Sequence, residues 1–131
     1  MAKTAKDMVA EAKGRVENLT VDQVAAELRD GNAVLVDLRN PDERAASGTI
    51  PGAISAPRGM LEFWADPTSA YHRPEFDPGR RVILHCASGG RSALAADTLG
   101  QMGYEKVAHL DGGITAWKAA GQPVEGVDPS S

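Results

Sequence analysis

The sequence predicts an α/β domain with a mainly parallel β-sheet. Short apolar, β-branched runs at residues 34–39, 81–86 and 107–110 have the composition of strands that are buried on both faces. Segments with helical spacing of apolar residues alternate with these runs along the chain. Alternation of this kind is typical of parallel sheets, because two parallel strands can be joined only by a long crossover connection.

Residues that start and end helices locate the connecting segments. Residues 3–16 have polar and apolar positions at helical spacing and predict a short amphipathic helix. Thr20 is typical of an N-cap for a helix over residues 21–30, which Gly31 would end. Further helices are predicted over 41–47, 58–66, 92–104 and 114–121, with a brief strand within 49–57 and an irregular connection over 67–81.

Length and composition indicate one globular domain. The chain has 131 residues, of which 42% are apolar and 24% charged, and its net charge is −4. This charge argues against a nucleic-acid partner or an anionic membrane surface. No apolar run approaches the roughly 18 residues of a membrane span, and the first residues lack the apolar region of a secretory signal. We therefore expect a cytoplasmic protein with no membrane partner.

Cys86 is the single cysteine in the sequence. An internal disulfide, a CxxC redox pair and a cysteine zinc cluster are therefore excluded. The three histidines, His72, His85 and His109, are scattered without the spacing of metal ligands. We expect neither a metal site nor a cofactor, and any chemical partner of Cys86 must come from outside the chain.

The segment around Cys86 has the order strand, small-residue loop, helix. In this arrangement successive backbone N–H groups can converge on one point, and the helix N-terminus adds positive potential there. Glycines in the loop permit the positive φ values that such a curl needs. Because this environment favours thiolate over thiol, Cys86 is predicted to be a nucleophile. The predicted anion-binding loop consists of Ala87, Ser88, Gly89, Gly90, Arg91 and Ser92.

The segment HCASGGRS resembles the active-site loop of the rhodanese-like sulfurtransferases, which has the pattern C-x-x-G-x-R. VLVDLRNPDER, GTIPGAISAP and LDGGITAWKAAGQPV are similar to three other segments of that family and occur in the same order. The resemblance covers residues 18–125. It implies a three-layer domain with a central parallel sheet of about five strands and helices on both faces. Residues 1–17 would be a helical extension and residues 126–131 a flexible tail.

The resemblance also implies a persulfide mechanism. The Cys86 thiolate would attack the outer sulfur of an anionic donor such as thiosulfate and release sulfite. The resulting persulfide would pass its sulfur to cyanide, to a small thiol or to a protein acceptor. Both donor and leaving group are anions, so the step needs charge stabilisation more than it needs a general base.

Residues outside the loop have expected supporting roles. Arg91 would either contact the bound anion or tie the loop to a carboxylate. Asp37 and Arg39 stand where the family has an Asp-x-Arg pair. We expect Asp37 to support the loop by orienting Arg91 or the loop amides, and Arg39 to form a structural ion pair with Glu43. His85 precedes the nucleophile, and its side chain should point away from the sulfur because successive strand residues face opposite sides.

The irregular middle region is expected to form the rim of the pocket. Arg58, Trp64 and Tyr71 are the candidates, and they would select the sulfur acceptor. Arg58 is favoured among them because a second cation near the loop would attract an anionic donor.

Two other functions compete with sulfur transfer. Cysteine phosphatases and arsenate reductases use a similar loop, but the phosphatase loop places five residues between cysteine and arginine. Four residues separate Cys86 from Arg91 here, which makes a tighter ring. The other alternative is a non-catalytic rhodanese-like module that binds or senses. Such modules often lack the cysteine, whereas this chain keeps it together with Gly89 and Arg91.

Overall fold

The computed structural model describes residues 2–126. The strands are β1 (Glu17–Leu19), β2 (Ala33–Asp37), β3 (Ile54–Ser55), β4 (Arg81–His85) and β5 (Val107–Leu110). The helices are α1 (Ala5–Lys13), α2 (Val21–Asp30), α3 (Pro41–Ser47), α4 (Leu61–Ala65), α5 (Gly90–Gln101) and α6 (Gly113–Ala119), with a 3-10 turn at Arg58–Met60 before α4. Of the tail predicted for residues 126–131, all but Gly126 lies outside the described residues.

The five strands form one parallel sheet in the order β1-β5-β4-β2-β3. One apolar cluster packs Val82 and Leu84 of the central strand against α4 and α5. A second cluster contains Ile83, with α2 and α6 on the opposite face. Alternate residues of β4 thus enter different layers, as the period of a strand requires. The predicted α/β class, with a central sheet of about five strands and helices on both faces, is confirmed.

Local capping explains where α2 begins and ends. The Thr20 hydroxyl accepts a hydrogen bond from the backbone N–H of Gln23 at 3.2 Å, and the Gln23 side chain accepts one from the Thr20 N–H at 2.8 Å. This reciprocal pair satisfies two N–H groups that a helix start leaves free. Gly31 ends the helix with a left-handed φ of 76°. Both predicted boundaries of this helix are confirmed.

Two boundaries near the cysteine differ from the sequence prediction. Strand β4 ends at His85, so Cys86 is the first residue beyond the strand rather than its last residue. Helix α5 begins at Gly90, two residues earlier than predicted, because Gly89 adopts a left-handed φ of 106° that turns the chain directly into the helix. The loop that contains Cys86 is therefore shorter than expected.

The N-terminal helix packs on the rest of the domain. Ala12 of α1 is fully buried, and Val16, just beyond the helix, packs against the core cluster that includes α5. Arg15 forms an ion pair with Asp97 of α5 at 2.8 Å. Strand β1 follows at once and pairs with β5 at the edge of the sheet. Across residues 2–126, none of the helices has the length and apolar character needed to cross a membrane.

Candidate active site

Cys86 lies at the carboxyl end of the central strand, where the chain turns into α5. Its side chain is buried, with 1% of its surface exposed. The sulfur accepts hydrogen bonds from the backbone N–H groups of Gly89 at 3.2 Å and Ser92 at 3.4 Å. The Ser92 hydroxyl oxygen lies 3.6 Å from the same sulfur. The loop therefore converges on a single atom, which is the geometry of an anion site.

The surroundings of the sulfur favour its charged form. Burial by itself would raise the pKa of the Cys86 thiol, because a thiolate loses hydration in the interior. Hydrogen bonds from the Ser92 hydroxyl and from the N–H groups of Ser92, Gly89 and Ser88 outweigh that effect and hold the pKa below its usual value. A thiolate is the nucleophilic form of cysteine, so the geometry suits a reactive rather than an inert thiol.

Helix α6 fixes the direction of the loop peptides. The N–H groups of Ile114 and Thr115 donate to the carbonyl oxygens of Cys86 and Ala87 at 3.0 and 3.1 Å. Because these carbonyl groups point towards α6, they do not face the sulfur, where they would repel the negative charge of a thiolate. The opposite side of the same loop is left to N–H groups, which stabilise that charge.

Both the backbone conformation and the surroundings of position 89 require a glycine. Its φ of 106° lies in a region that residues with a Cβ rarely adopt. A Cβ at this position would also lie 3.1 Å from the backbone nitrogen of Gly112. The small residue is therefore what allows the loop to lie against the turn before α6.

Arg91 is tied to a carboxylate and also lies close to the Cys86 sulfur. Its two terminal nitrogens donate to the two oxygens of Glu43 in α3 at 2.7 and 2.8 Å. This bidentate contact holds the pKa of Glu43 at about 2, below its usual 4.5. The pKa of Arg91 is raised, first by Glu43 and to a smaller degree by the nearby Cys86 sulfur. Of the two roles expected for Arg91, this structure shows the tie to a carboxylate.

Asp37 and Arg39 form a buried ion pair with each other. Three groups of Arg39, its backbone N–H, Nε and a terminal nitrogen, donate to the Asp37 carboxylate at 2.9 to 3.0 Å. Arg44 of α3 adds a contact at 3.3 Å. The expected pairing of Arg39 with Glu43 is wrong, because Glu43 is occupied by Arg91. Asp37 likewise binds Arg39 and Arg44 instead of orienting Arg91 directly.

Comparison with known proteins identifies the family. A family model described as the rhodanese-like domain matches residues 20–120. The chain belongs to the rhodanese-like domain family. A protein named sulfurtransferase from Allochromatium vinosum is 34% identical over 109 residues, which cover 83% of this chain and 92% of that protein.

Solved structures resemble this rhodanese-like domain closely. A Rhodopseudomonas palustris protein of unknown function, described as a possible tyrosine phosphatase, superimposes with a TM-score of 0.90 at 44% identity and covers 95% of this chain and 96% of its own. The polysulfide-sulfur transferase of Wolinella succinogenes, a homodimer, gives a TM-score of 0.75 at 27% identity, with 94% and 88% covered. The resemblance inferred from the motifs is therefore confirmed at the level of family and fold.

The three expected rim residues make contacts within the middle region of the rhodanese-like domain. Arg58 pairs with Glu62 at 2.6 Å, one turn further along the chain. Trp64 stacks under the guanidinium of Arg73, whose carbon lies 3.7 Å from the ring centre. Tyr71 is 64% exposed and meets Phe63 edge to face. Their role in selecting an acceptor stays a prediction.

The histidines of the domain differ in what they contact. His85 is fully buried, with Nδ1 lying 3.3 Å from the carbonyl oxygen of Cys86 and Nε2 3.8 Å from Asp37. Burial lowers its pKa. His109, taken from the sequence as isolated, bonds to Ser92 and therefore connects to the sulfur. Periodicity of β5 placed His109 in a strand, but no local pattern revealed its partner 17 residues away.

Proposed function

We propose that this protein is a sulfurtransferase that carries sulfane sulfur as a persulfide on Cys86. The observation that carries the proposal is the convergence of the Gly89 and Ser92 N–H groups on one buried sulfur atom. The same donors suit the terminal sulfur of a persulfide, which is also anionic near neutral pH. The sulfurtransferase of Allochromatium vinosum supports this assignment at the level of reaction class.

The reaction consists of two nucleophilic displacements. The Cys86 thiolate attacks the outer sulfur of thiosulfate, a new S–S bond forms, and sulfite leaves with the electron pair of the bond that breaks. An acceptor nucleophile then attacks the terminal sulfur of the persulfide. Cyanide would leave as thiocyanate and a thiolate as a persulfide, while the Cys86 thiolate is regenerated. The loop N–H groups stabilise the charge on sulfur in each step.

The donor and the acceptor are proposed as chemical classes. Thiosulfate and polysulfide are both anionic carriers of sulfane sulfur, and the Wolinella succinogenes relative is named for the second. Cyanide, a small thiol or a protein thiol would accept the sulfur. A free thiolate persists best in a reducing compartment, so we keep the cytoplasm as the predicted location.

A phosphatase is the second candidate, because the Rhodopseudomonas palustris neighbour is described as a possible tyrosine phosphatase. Two features weigh against it here. Four residues separate Cys86 from Arg91, one fewer than in the phosphatase loop. The guanidinium of Arg91 is also engaged with Glu43 and so is not free to hold a phosphate. The lowered thiol pKa in turn argues against a non-catalytic module.

Intact-mass measurement after incubation with thiosulfate tests the proposal. We expect a gain of one sulfur atom, about 32 Da, that cyanide or a small thiol reverses. Cys86→Ser should show neither the gain nor turnover, whereas Ser88→Ala, a serine of the same loop whose side chain is exposed, should keep both.

The same preparation should be offered an aryl phosphate and polysulfide. Hydrolysis of the phosphate at a rate comparable to thiosulfate turnover would replace the proposed function with a phosphatase. Sulfur gain from polysulfide without gain from thiosulfate would keep sulfur transfer and identify the donor. A protein that gains sulfur from neither donor would contradict the proposal.

A further inference from the structure

A chain of hydrogen-bonding groups runs from the nucleophile through the sheet to its edge. The Cys86 sulfur lies 3.6 Å from the Ser92 hydroxyl oxygen, which lies 2.9 Å from Nδ1 of His109. Nε2 of the same ring lies 2.7 Å from the side-chain oxygen of Asn18. Cys86, Ser92 and His109 are all buried, so water does not compete for the contacts among these three residues, whereas Asn18 at the end of the series is exposed.

Asn18 determines which nitrogen of His109 carries the proton. The Asn18 side-chain nitrogen donates to the carbonyl oxygens of Lys13 and Val16 at 2.9 and 3.1 Å. An amide held in this way presents its oxygen to His109, and an oxygen of this kind only accepts. Nε2 must therefore be the protonated nitrogen. The sheet supports the contact, because Asn18 of β1 and His109 of β5 are directly paired in register.

This tautomer determines which group donates in each of the other hydrogen bonds between Cys86, Ser92 and His109. With Nε2 protonated, Nδ1 of the neutral ring has a free lone pair and accepts from the Ser92 hydroxyl. The Ser92 oxygen then presents its own lone pairs to the sulfur, where it can accept from the Cys86 S–H. All donors point the same way, from the sulfur towards Asn18.

We propose that Ser92 passes the proton of the Cys86 thiol to His109, which converts a neutral thiol and imidazole into a thiolate and an imidazolium. The S–H bond breaks as the proton moves to the Ser92 oxygen, and the original Ser92 proton moves to Nδ1. Ser92 ends as a neutral hydroxyl that donates to the thiolate. The use of that thiolate in sulfur transfer rests on the proposed function, but the proton transfer itself requires no sulfur donor.

Charged groups near these hydrogen bonds affect whether the proton resides on Cys86 or on His109. Burial lowers the pKa of His109, Asp111 raises it, and Lys13 lowers it. Asp111 and Lys13 are paired with each other at 3.1 Å, which moderates both effects. Arg91 is a cation that interacts with the Cys86 sulfur, and its guanidinium is itself held by Glu43. The lowered pKa favours the neutral ring of His109, whose Nδ1 lone pair is the site that would receive the proton.

The N-terminal segment completes this arrangement. Asn18 and the two carbonyl groups that orient it lie before residue 20, where the match to the family model begins. The segment from α1 to β1 thus supplies the group that binds the Nε2–H of His109. Of Ser92, His109 and Asn18, Ser92 alone contacts the sulfur, His109 is the proposed proton acceptor, and Asn18 is a positioning residue that acts through His109.

The decisive measurement is the coupling between the two titrations in the wild-type protein. Thiolate is followed by its ultraviolet absorbance and His109 by its ring nitrogen chemical shifts. We expect the Nε2-protonated tautomer at high pH and a lower His109 pKa, by about one unit, once Cys86 is alkylated to a neutral thioether. An Nδ1-protonated ring, or a His109 pKa that alkylation leaves unchanged, would overturn the proposal.

Variants then distinguish this proton relay, from Cys86 through Ser92 to His109, from a purely structural role of the same side chains. His109→Gln should raise the thiol pKa by about one unit, which is about tenfold less thiolate at a given pH. Ser92→Ala should abolish the effect of alkylation on His109, and Ser92→Thr should restore it. His72→Gln, at a histidine of the connection before β4 that contacts the Phe76 carbonyl, is the matched control and should leave both titrations as in the wild type. An unchanged thiol pKa in folded His109→Gln would contradict the relay.

Two substitutions of Asn18 are expected to change the His109 pKa in opposite directions. Asn18→Asp places a carboxylate against Nε2 and should raise the His109 pKa, whereas Asn18→Leu removes the acceptor and should lower it. Equal effects of the two substitutions would count against the proposed orientation. These titrations need no sulfur donor. A protein whose Cys86 and His109 titrations are coupled, but which gains no sulfur, would contradict the proposed function and leave the proton transfer intact. A protein that gains sulfur without coupled titrations would contradict the proton transfer alone.

Discussion

Gly113 lies against the main-chain carbonyl group of Cys86. A Cβ at position 113 would come within 2.5 Å of the Cys86 oxygen and within 2.5 Å of the Ala87 oxygen, and the residue has a φ of 59°. These are the same two carbonyl groups that α6 holds by hydrogen bonds from Ile114 and Thr115. Gly113, the first residue of α6, therefore sets how closely this helix approaches the loop and, with it, the position of the sulfur.

Gly113→Ala should displace the Cys86 loop. The clash cannot be relieved without moving backbone, and a shift of about 1 Å in reacting groups can reduce activity about 100-fold. Gly121→Ala is the matched control, because Gly121 also has a positive φ, 77°, but no atom lies within 4 Å of its Cβ position. We expect the control to lose about 1–2 kcal/mol of stability from backbone strain and to keep its activity. Thiosulfate turnover measures the activity of the two variants, and urea unfolding measures their stability. Equal activity in the two variants would contradict the role of Gly113.

Glu43→Gln should weaken the fold in a pH-dependent way. The carboxylate has a pKa of about 2 beside Arg91 and about 4.5 when unpaired, so its contribution to stability is complete above pH 4.5 and is lost as the pH falls towards 2. The pair is partly exposed, so we expect a difference of about 1 kcal/mol from the wild type at pH 7. Urea unfolding at several pH values should show this difference shrinking below pH 4.5. Glu105→Gln, at an exposed glutamate before β5, is the control and should leave the free energy of unfolding close to that of the wild type.

Arg39→Met should be strongly destabilising. It removes both guanidinium contacts and leaves the fully buried Asp37 carboxylate with the backbone N–H of residue 39 and the longer contact to Arg44. Removal of one partner of a buried ion pair typically costs about 3–5 kcal/mol. The double variant with Asp37→Leu should recover part of that loss, since no buried charge then remains. Asp97→Asn, which breaks the more exposed pair with Arg15, should have a much smaller effect on unfolding by urea. Additive losses in the double variant would show that the two residues do not depend on each other.

Ala12→Glu should release α1 from the domain. The side chain of Ala12 is fully buried, and a glutamate there would place a charge in an apolar contact without a partner. We expect the amides of α1 to lose their protection from hydrogen exchange while those of the central strand keep it. Ala10→Glu, on the exposed side of the same helix, is the control. Retained protection of α1 in Ala12→Glu would contradict the packing described above.

Features encoded by neighbouring residues were predictable. The capping residues Thr20 and Gly31 bound α2 as expected, and the apolar run of β4 identified the central strand. Strand β1 was not predicted, because three residues are too few to show a period of two. Its existence depends on β5, which supplies the hydrogen bonds that an isolated short strand cannot provide.

The sequence by itself determined the fold class, the family resemblance and the cysteine in a loop of small residues, because all of these depend on local spacing. Only the tertiary structure decided the partners of the site. Arg91 meets Glu43 from 48 residues away, and His109 meets Asn18 from 91 residues away. Such pairs arise because a parallel sheet places distant segments side by side in a register that no local pattern specifies. Position 109 became part of the site only when β5 was placed between β1 and β4.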